Sequence, residues 1–330
     1  MSSIITVSIV QSALELGFIY ALVALALYLS FTILNIADLS TDGCFTLGCA
    51  VCATLTLQGH PVLGLFAAMA AGIISGFVTA FLQTKMGIES ILAGIIVNTG
   101  LYTINIAAMG FSSTVNLFGK DTIYTAAKDF FKENLSFIDW NWSKLFVSAV
   151  IVLVIGFLVA LFLNTRLGLS IRATGDNPDM VRASSINTKV MITIGLCVAN
   201  ALTGLSGGLL AQYQRSCDIN LGTGMVTIAL ASLIIGESLI GKGPMFVRIL
   251  GVVFGSCLYR FIVAIALRLD VPAECLKLVS ALIVAVAIAF PYLKKQFRFY
   301  RLKHIAKNEN KKYIREILGQ NQSQRQEENS

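Results

Sequence analysis

Residues Arg166–Lys189 read RLGLSIRATGDNPDMVRASSINTK, a polar island between two long apolar segments. Within it, Gly175-Asp176-Asn177-Pro178 is a helix-start signal. A side chain of Asp176 or Asn177 can accept hydrogen bonds from the free N–H groups of a first turn. Pro178 fits that turn because the N–H it lacks would be unsatisfied there anyway. Asp179 then lies at the positive end of the helix dipole. The spacing predicts a short helix over about residues 177–187, ended by the next apolar run. A capped helix stranded between two such runs is suited to being pushed by something soluble.

The flanking runs set the fold class. The chain is 56% hydrophobic and 13% charged, with a mean hydropathy of +0.77. Soluble domains carry about a quarter charged residues, so that class is excluded. Apolar stretches of roughly 20 residues recur, the length that crosses a bilayer core as a helix. Backbone groups in lipid must be satisfied within the chain, so these stretches are helices and not open strands. The expected fold is an all-α polytopic membrane protein.

Working outward from the island, the expected spans are Lys144–Leu163 before it and Thr188–Ala211 after it. Gly224–Ile240, Met245–Leu267 and Pro272–Pro291 follow. Upstream are Thr6–Ile33, Pro61–Leu82 and Ser90–Met109, with a shorter piece at Cys44–Leu57. That gives nine crossings, within a bundle of 8–10 helices, with a broken or re-entrant segment over residues 35–57. Gly110–Trp142 reads as a long amphiphilic loop. Residues 1–292 form the expected membrane domain and residues 293–330 a basic tail.

Charge orients the bundle. Six of the seven net positive charges lie between Lys294 and Ser330. Under strict alternation Lys85, the set Arg166, Arg172, Arg182 and Lys189, Lys242 with Arg248, and the tail share one face. An excess of Lys and Arg marks the cytoplasmic side, which places the N-terminus outside and the C-terminus inside. Arg268 falls on the other side. The tail reads as a lipid-facing anchor rather than a nucleic-acid arm. No cleavable leader is expected, since no basic residue precedes Lys85.

The seven cysteines sit mostly in apolar runs, where a free thiol behaves as a small hydrophobe. Cys49-x-x-Cys52 lacks neighbouring His or basic residues, and His60 and His304 are isolated, so no metal site is expected. No nucleophile–base constellation is present, which argues against a membrane-bound enzyme. Polar residues inside spans are costly unless they face a cavity or a partner. Asp38, Asp42, Asn98, Asn200 and Glu237 are therefore the candidates for a polar pathway, with Glu15 and Asn105 beside them. For each, an interhelical hydrogen bond is the structural alternative, and Glu237 lies close to the expected cytoplasmic end.

Several stretches together resemble the permease subunits of bacterial ABC importers of the branched-chain amino acid and ribose type. They are Gly168-Leu-Ser-Ile-Arg172-Ala, Gly175-Asp-Asn-Pro178, Arg182-Ala, Ile186-Asn187, Ala201–Gly208 and Ile234–Gly241, with Asp38-Leu-Ser and Asp42-Gly43 upstream. Their order and spacing extend the likeness from about Glu15 to Pro291. Gly236-Glu237-Ser238-Leu239 departs from the double glycine common in sugar members. That departure is similar to the subgroup described as tryptophan/tyrosine transport permeases.

The resemblance implies one of two membrane subunits, a second copy being the other, in a bacterial cytoplasmic membrane. Cytoplasmic ABC ATPase subunits would grip the island through Arg172, Gly175, Asp176, Asn177, Pro178, Arg182 and Asn187. An extracytoplasmic binding protein would deliver substrate. No GxxxxGK[ST] phosphate loop occurs, so ATP and Mg²⁺ belong on the ATPase and this chain binds no cofactor of its own. A secondary transporter driven by an ion gradient is the competing reading, since broken helices and intramembrane acids occur there too. An ABC permease for a sugar or nucleoside is another.

Overall fold

Lipid offers the backbone no hydrogen-bond partners, and the apolar runs answer by forming helices that pair their backbone groups internally. The computed structural model describes residues 7–134, 142–241 and 243–268, with scattered positions from 278 to 303. The chain divides into two units, Met1–Val284 and Ala285–Ser330, and every element named below lies in the first. The expected span Pro272–Pro291, the basic tail and Lys242 fall outside the described residues, apart from scattered positions in the first two.

In chain order the helices are α1 (Val7–Leu27), which continues through a π-helical turn at Tyr28–Ile33, then α2 (Thr41–Leu57), α3 (Pro61–Thr84) and α4 (Ser90–Ala108). Next come α5 (Ile123–Asn134), α6 (Ser143–Asn164), α7 (Arg166–Asp176), α8 (Pro178–Ala183), α9 (Thr188–Gln214), α10 (Met225–Ile240) and α11 (Met245–Arg268). Strands β1 (Thr114–Asn116) and β2 (Ser216–Asp218) pair antiparallel, so the loop after α4 is tied to the end of α9.

Among the described residues, α1 with its π turn, α3, α4, α6, α9 and α11 are long and apolar enough to cross a membrane. The protein is an all-α polytopic membrane protein. Helices α2 and α10 are apolar but shorter. At about 1.5 Å per residue each measures roughly 25 Å, less than a hydrocarbon core of about 30 Å. Both start inside the bundle, as described below.

Helix α9 is the hub, and small residues let its neighbours approach. A Cβ on Gly48 of α2 would strike the backbone of Gly204, and one on Gly207 would strike the Phe45 carbonyl. On the α3 side, Gly72 lies against the Asn200 carbonyl and Gly76 against that of Leu196. Close backbone contact replaces the hydrophobic drive that lipid removes. Hydrogen bonds add to it: Ser206 Oγ donates to the Ile19 carbonyl at 2.7 Å, and Ser256 Oγ to that of Gly17 at 2.7 Å. The outward faces of α3, α4 and α6 instead expose Phe66, Ile74, Phe77, Leu92 and Phe157 to the apolar phase.

Gly204→Leu forces α3 away from α9, an overpacking that costs about 1–3 kcal/mol. Gly100→Leu on α4 meets open space. In detergent, the first variant is expected to lower the thermal unfolding midpoint and the second to leave it unchanged.

Candidate functional site

The island folds as two helices, not one. Thr165 Oγ1 accepts from the Gly168 N–H at 3.2 Å and starts α7. Asn177 then serves both helices. Its N–H donates to the Ala173 carbonyl at 2.9 Å, while its Oδ1 accepts from the N–H groups of Asp179 and Met180, both at 3.1 Å, to start α8. Of the two expected caps, Asn177 makes the bonds and Asp176 stands exposed.

Helix α8 spans six residues and stops at Ala183 rather than near residue 187. Ser184 closes the turn onto the Met180 carbonyl, and Ser185 takes a left-handed φ of 62°, which no helix continues. Asn187 belongs to the next element. Its Oδ1 accepts from the Lys189 and Val190 N–H groups and caps α9. Arg182 reaches back, its Nε donating to Thr188 Oγ1 at 3.2 Å, and pairs with Asp179 at 3.5 Å on the exposed side. Val181 is buried and Met180 is 66% exposed, so α8 is anchored on one side and presented on the other.

Gly175 joins the island to the bundle. A Cβ there would occupy the position of the Ile33 carbonyl oxygen, so only glycine permits this approach. Ile33 ends the π turn of α1, a local feature that recurs at functional sites. Beyond it the chain leaves helical geometry, with Asn35 at a left-handed φ of 56°. Leu34 packs against Gly195 of α9, beside Ile171 of α7.

The break carries Asp38, which is 2% exposed. Its Oδ1 accepts from Ser40 N–H at 2.9 Å and Ser40 Oγ at 2.6 Å; its Oδ2 accepts from Asn200 Nδ2 at 2.8 Å. A buried carboxyl group without such donors would be expensive. The bond to Asn200 fixes the start of α2 about half-way along α9. One turn further, Asp42 meets the start of α10: its Oδ2 accepts from Gly224 N–H at 2.9 Å and its Oδ1 from Val226 N–H at 2.9 Å. Thr46 Oγ1 accepts from Gly222 N–H at 3.1 Å. Helix α10 therefore begins on the first turns of α2, inside the bundle.

A cavity of about 310 Å³ opens beside this junction, lined by Asp42, Thr46, Asn98, Tyr102, Asn105 and Thr223 among others. Asn105 Nδ2 donates to the Gly43 carbonyl at 3.1 Å, while its Oδ1 is buried without a partner among the described residues. The Oδ1 of Asn200 is buried and unpartnered in the same sense. The structure thus brings Asp38 to Asn200, and Asp42 to Asn98 and Asn105. Glu237 stands apart from them, exposed near the end of α10. The π turn, Thr46 and the Gly222–Gly224 segment were missed in sequence. The one available signal for them was a Gly-Thr-Gly placed directly before an apolar run.

Glu15 lies at the opposite end of α1 from the island, 4% exposed, accepting from Tyr213 Oη at 2.8 Å and Gln11 Nε2 at 2.9 Å. The buried cysteines are free, and no cluster of metal-ligating side chains occurs among the described residues.

A model of the family described as the branched-chain amino acid transport system permease component matches residues 9–288. The tyrosine transport system permease protein of Clostridioides difficile is 31% identical over 304 residues, 92% of this chain and 98% of that protein. An uncharacterized protein of Rickettsia prowazekii is 28% identical over 86% of this chain and 97% of its own length. The ribose import permease protein of Escherichia coli is 26% identical over 76% of this chain and 75% of its own. No solved structure matches the chain.

Asp42→Ala removes both bonds at the start of α10. Loss of a helix cap costs about 1–2 kcal/mol, and Asp42→Asn keeps one acceptor oxygen. The alanine variant is expected to unfold at lower temperature than the asparagine variant, with hydrogen exchange rising first at Gly224–Val226. Equal protection of those amides in both would contradict the capping role.

Proposed function

This chain belongs to the branched-chain amino acid transport system permease family, and on that premise we propose that it is the membrane-spanning subunit of an ATP-driven importer. Its cargo is a small solute, an aromatic amino acid in the first instance. The observation that carries this reading is the seat of the island. Helices α7 and α8 project from one end of the bundle, yet Gly175 rests directly on the carbonyl that precedes the break.

In this reading the exposed side of α8, from Pro178 to Arg182, docks into a cytoplasmic ATPase subunit. Arg172, Asp176 and Asn187 frame that seat. ATP and Mg²⁺ are held by the ATPase, and hydrolysis takes place there. A push on α8 passes through α7 to Ile33, and from there along Leu34–Asp38 to the Asp38–Asn200 bond. The cavity beside Asp42, Asn98 and Asn105 is the polar path that this movement exposes to one side and then the other. Its buried, unpartnered carbonyl oxygen on Asn105 can accept from a substrate N–H or O–H. Asn200 is held by Asp38 and belongs to the moving joint. Glu237, exposed at the island end, is assigned to gating or to ATPase contact.

A second copy of this chain completes the transporter, and an extracytoplasmic lipoprotein delivers the solute. The membrane is the bacterial cytoplasmic membrane, with the island inside and the N-terminus outside. Residues 1–292 are the permease domain and residues 293–330 a basic cytoplasmic tail that lies on lipid headgroups. An aromatic amino acid is favoured over a sugar or nucleoside by one comparison: the relative named for tyrosine matches over more of both chains than the ribose permease does. An ion-gradient transporter shares the broken helices. It has no use for a capped island held against the break.

Reconstitution with the cognate ATPase and binding protein tests the reading. Uptake is expected to require ATP and to survive collapse of the ion gradients. Gly175→Pro, or deletion of Asp176–Asn187, should abolish uptake while the chain still inserts in the membrane. Uptake that persists without ATP and stops when the gradients collapse would sink the proposal.

A further inference from the structure

A cavity larger than the one at the junction lies elsewhere. About 860 Å³ opens at the end of the bundle opposite the island, between the start of α1, the end of α9, α5 and the start of α6. Its wall carries a carboxyl group, Glu15, that is 4% exposed, together with Lys128, Lys144 and Arg215. It also carries aromatic surface. Tyr124 and Tyr213 meet edge-on, with ring centroids 5.8 Å apart, and Trp142 stands at the same cavity.

The charges are ordered around one ring. Tyr213 donates its hydroxyl proton to Glu15 at 2.8 Å, and Lys144 Nζ lies over the ring of Tyr213, 5.1 Å from its centroid. The carboxyl group and the ammonium group thus both engage Tyr213, one at its hydroxyl and the other over its ring face. Tyr124 is 3% exposed, and its hydroxyl has no hydrogen-bond partner among the described residues. Burial, with Tyr213 and Glu15 adding to it, raises this phenol above its ordinary range, so it stays protonated and available as a donor. An unsatisfied buried donor is costly and marks a place where a ligand can supply the missing acceptor.

We infer that this vestibule is a binding site for a free α-amino acid with an aromatic side chain, received before it moves to the junction below. Glu15 takes the ammonium group, Lys144 and Arg215 take the carboxylate, and the ring lies against Tyr124, Tyr213 and Trp142. Opposite charges gathered around Tyr213 suit a zwitterion, with one hydrogen bond at each end. A sugar supplies neither charge, and an aliphatic amino acid leaves the aromatic wall unused. The inference rests on the importer reading only for its direction, which makes this end the outer one.

Binding can be measured without transport. The full chain in lipid nanodiscs is titrated with radiolabelled L-tyrosine, competed by L-phenylalanine, L-leucine, ribose, tyramine (no carboxylate) and 4-hydroxyphenylpropionate (no ammonium group). L-tyrosine is expected to bind saturably and L-phenylalanine to displace it. Each of the other four should compete at least about tenfold more weakly, the loss that follows from one missing charged hydrogen bond or the ring contact. Glu15→Gln should weaken L-tyrosine and tyramine by at least about tenfold and leave 4-hydroxyphenylpropionate unchanged. Lys144→Met should show the reverse pattern, which a general loss of fold cannot produce.

The absence of saturable L-tyrosine binding to the unaltered chain overturns the inference, as does displacement by ribose as strong as by L-phenylalanine. ATP-driven uptake with an empty vestibule refutes this site and leaves the importer standing. Gradient-driven uptake with the binding pattern intact supports the site and removes the importer.

Discussion

One carboxyl group, that of Asp42, holds the junction at which two short helices start. Where α10 begins inside the bundle, its first N–H groups have no helical partner, and lipid supplies none. Asp42 reaches two of them from the first turn of α2. This allows a helix to start in the middle of a membrane protein. It also ties two short helices to one another. The cavity beside Asn98 and Asn105 follows from that meeting, because two helix starts cannot fill the space that two continuous helices would.

The second constraint is steric. A polar island in solution can influence a bundle only through atoms that touch, and Gly175 makes that contact without a side chain in between. The π turn at Tyr28–Ile33 leaves α1 ending on that contact, and the chain beyond it is free of helical geometry until Ser40. Rigid helix lies on one side and irregular chain on the other, with a buried hydrogen bond from Asn200 to Asp38 at its far end. The helices around α9 are close-packed through glycine, and that packing is interrupted at the break.

Much of this was legible in the sequence. Apolar length picked out the six long helices among the described residues, and the polar break after the first of them announced itself through Asn35, Asp38 and Asp42. The island was readable through its cap, since Asn177 and Pro178 have few other uses in that order. What was not legible depended on distance along the chain. Asp42 reads as a polar residue in an apolar run, and nothing nearby says that its partners are Gly224 and Val226. Asn187 reads as the end of one helix, yet it caps the next, because an Asn side chain can serve either role and only the turn at Ser185 decides. Glu15 looked like a lone acid near the chain start, and its place in a cavity with Lys144 and Tyr213 exists only once α6 and α9 are assembled beside α1.

The link from Asp42 to Val226 spans 184 positions in the chain. A ribosome feeding this protein into a membrane delivers α2 long before α10 exists. Until then Asp42 lacks the two N–H groups it accepts from in the finished structure. The junction can close only after the second short helix arrives. Assembly order is written into the same side chain that holds the finished structure.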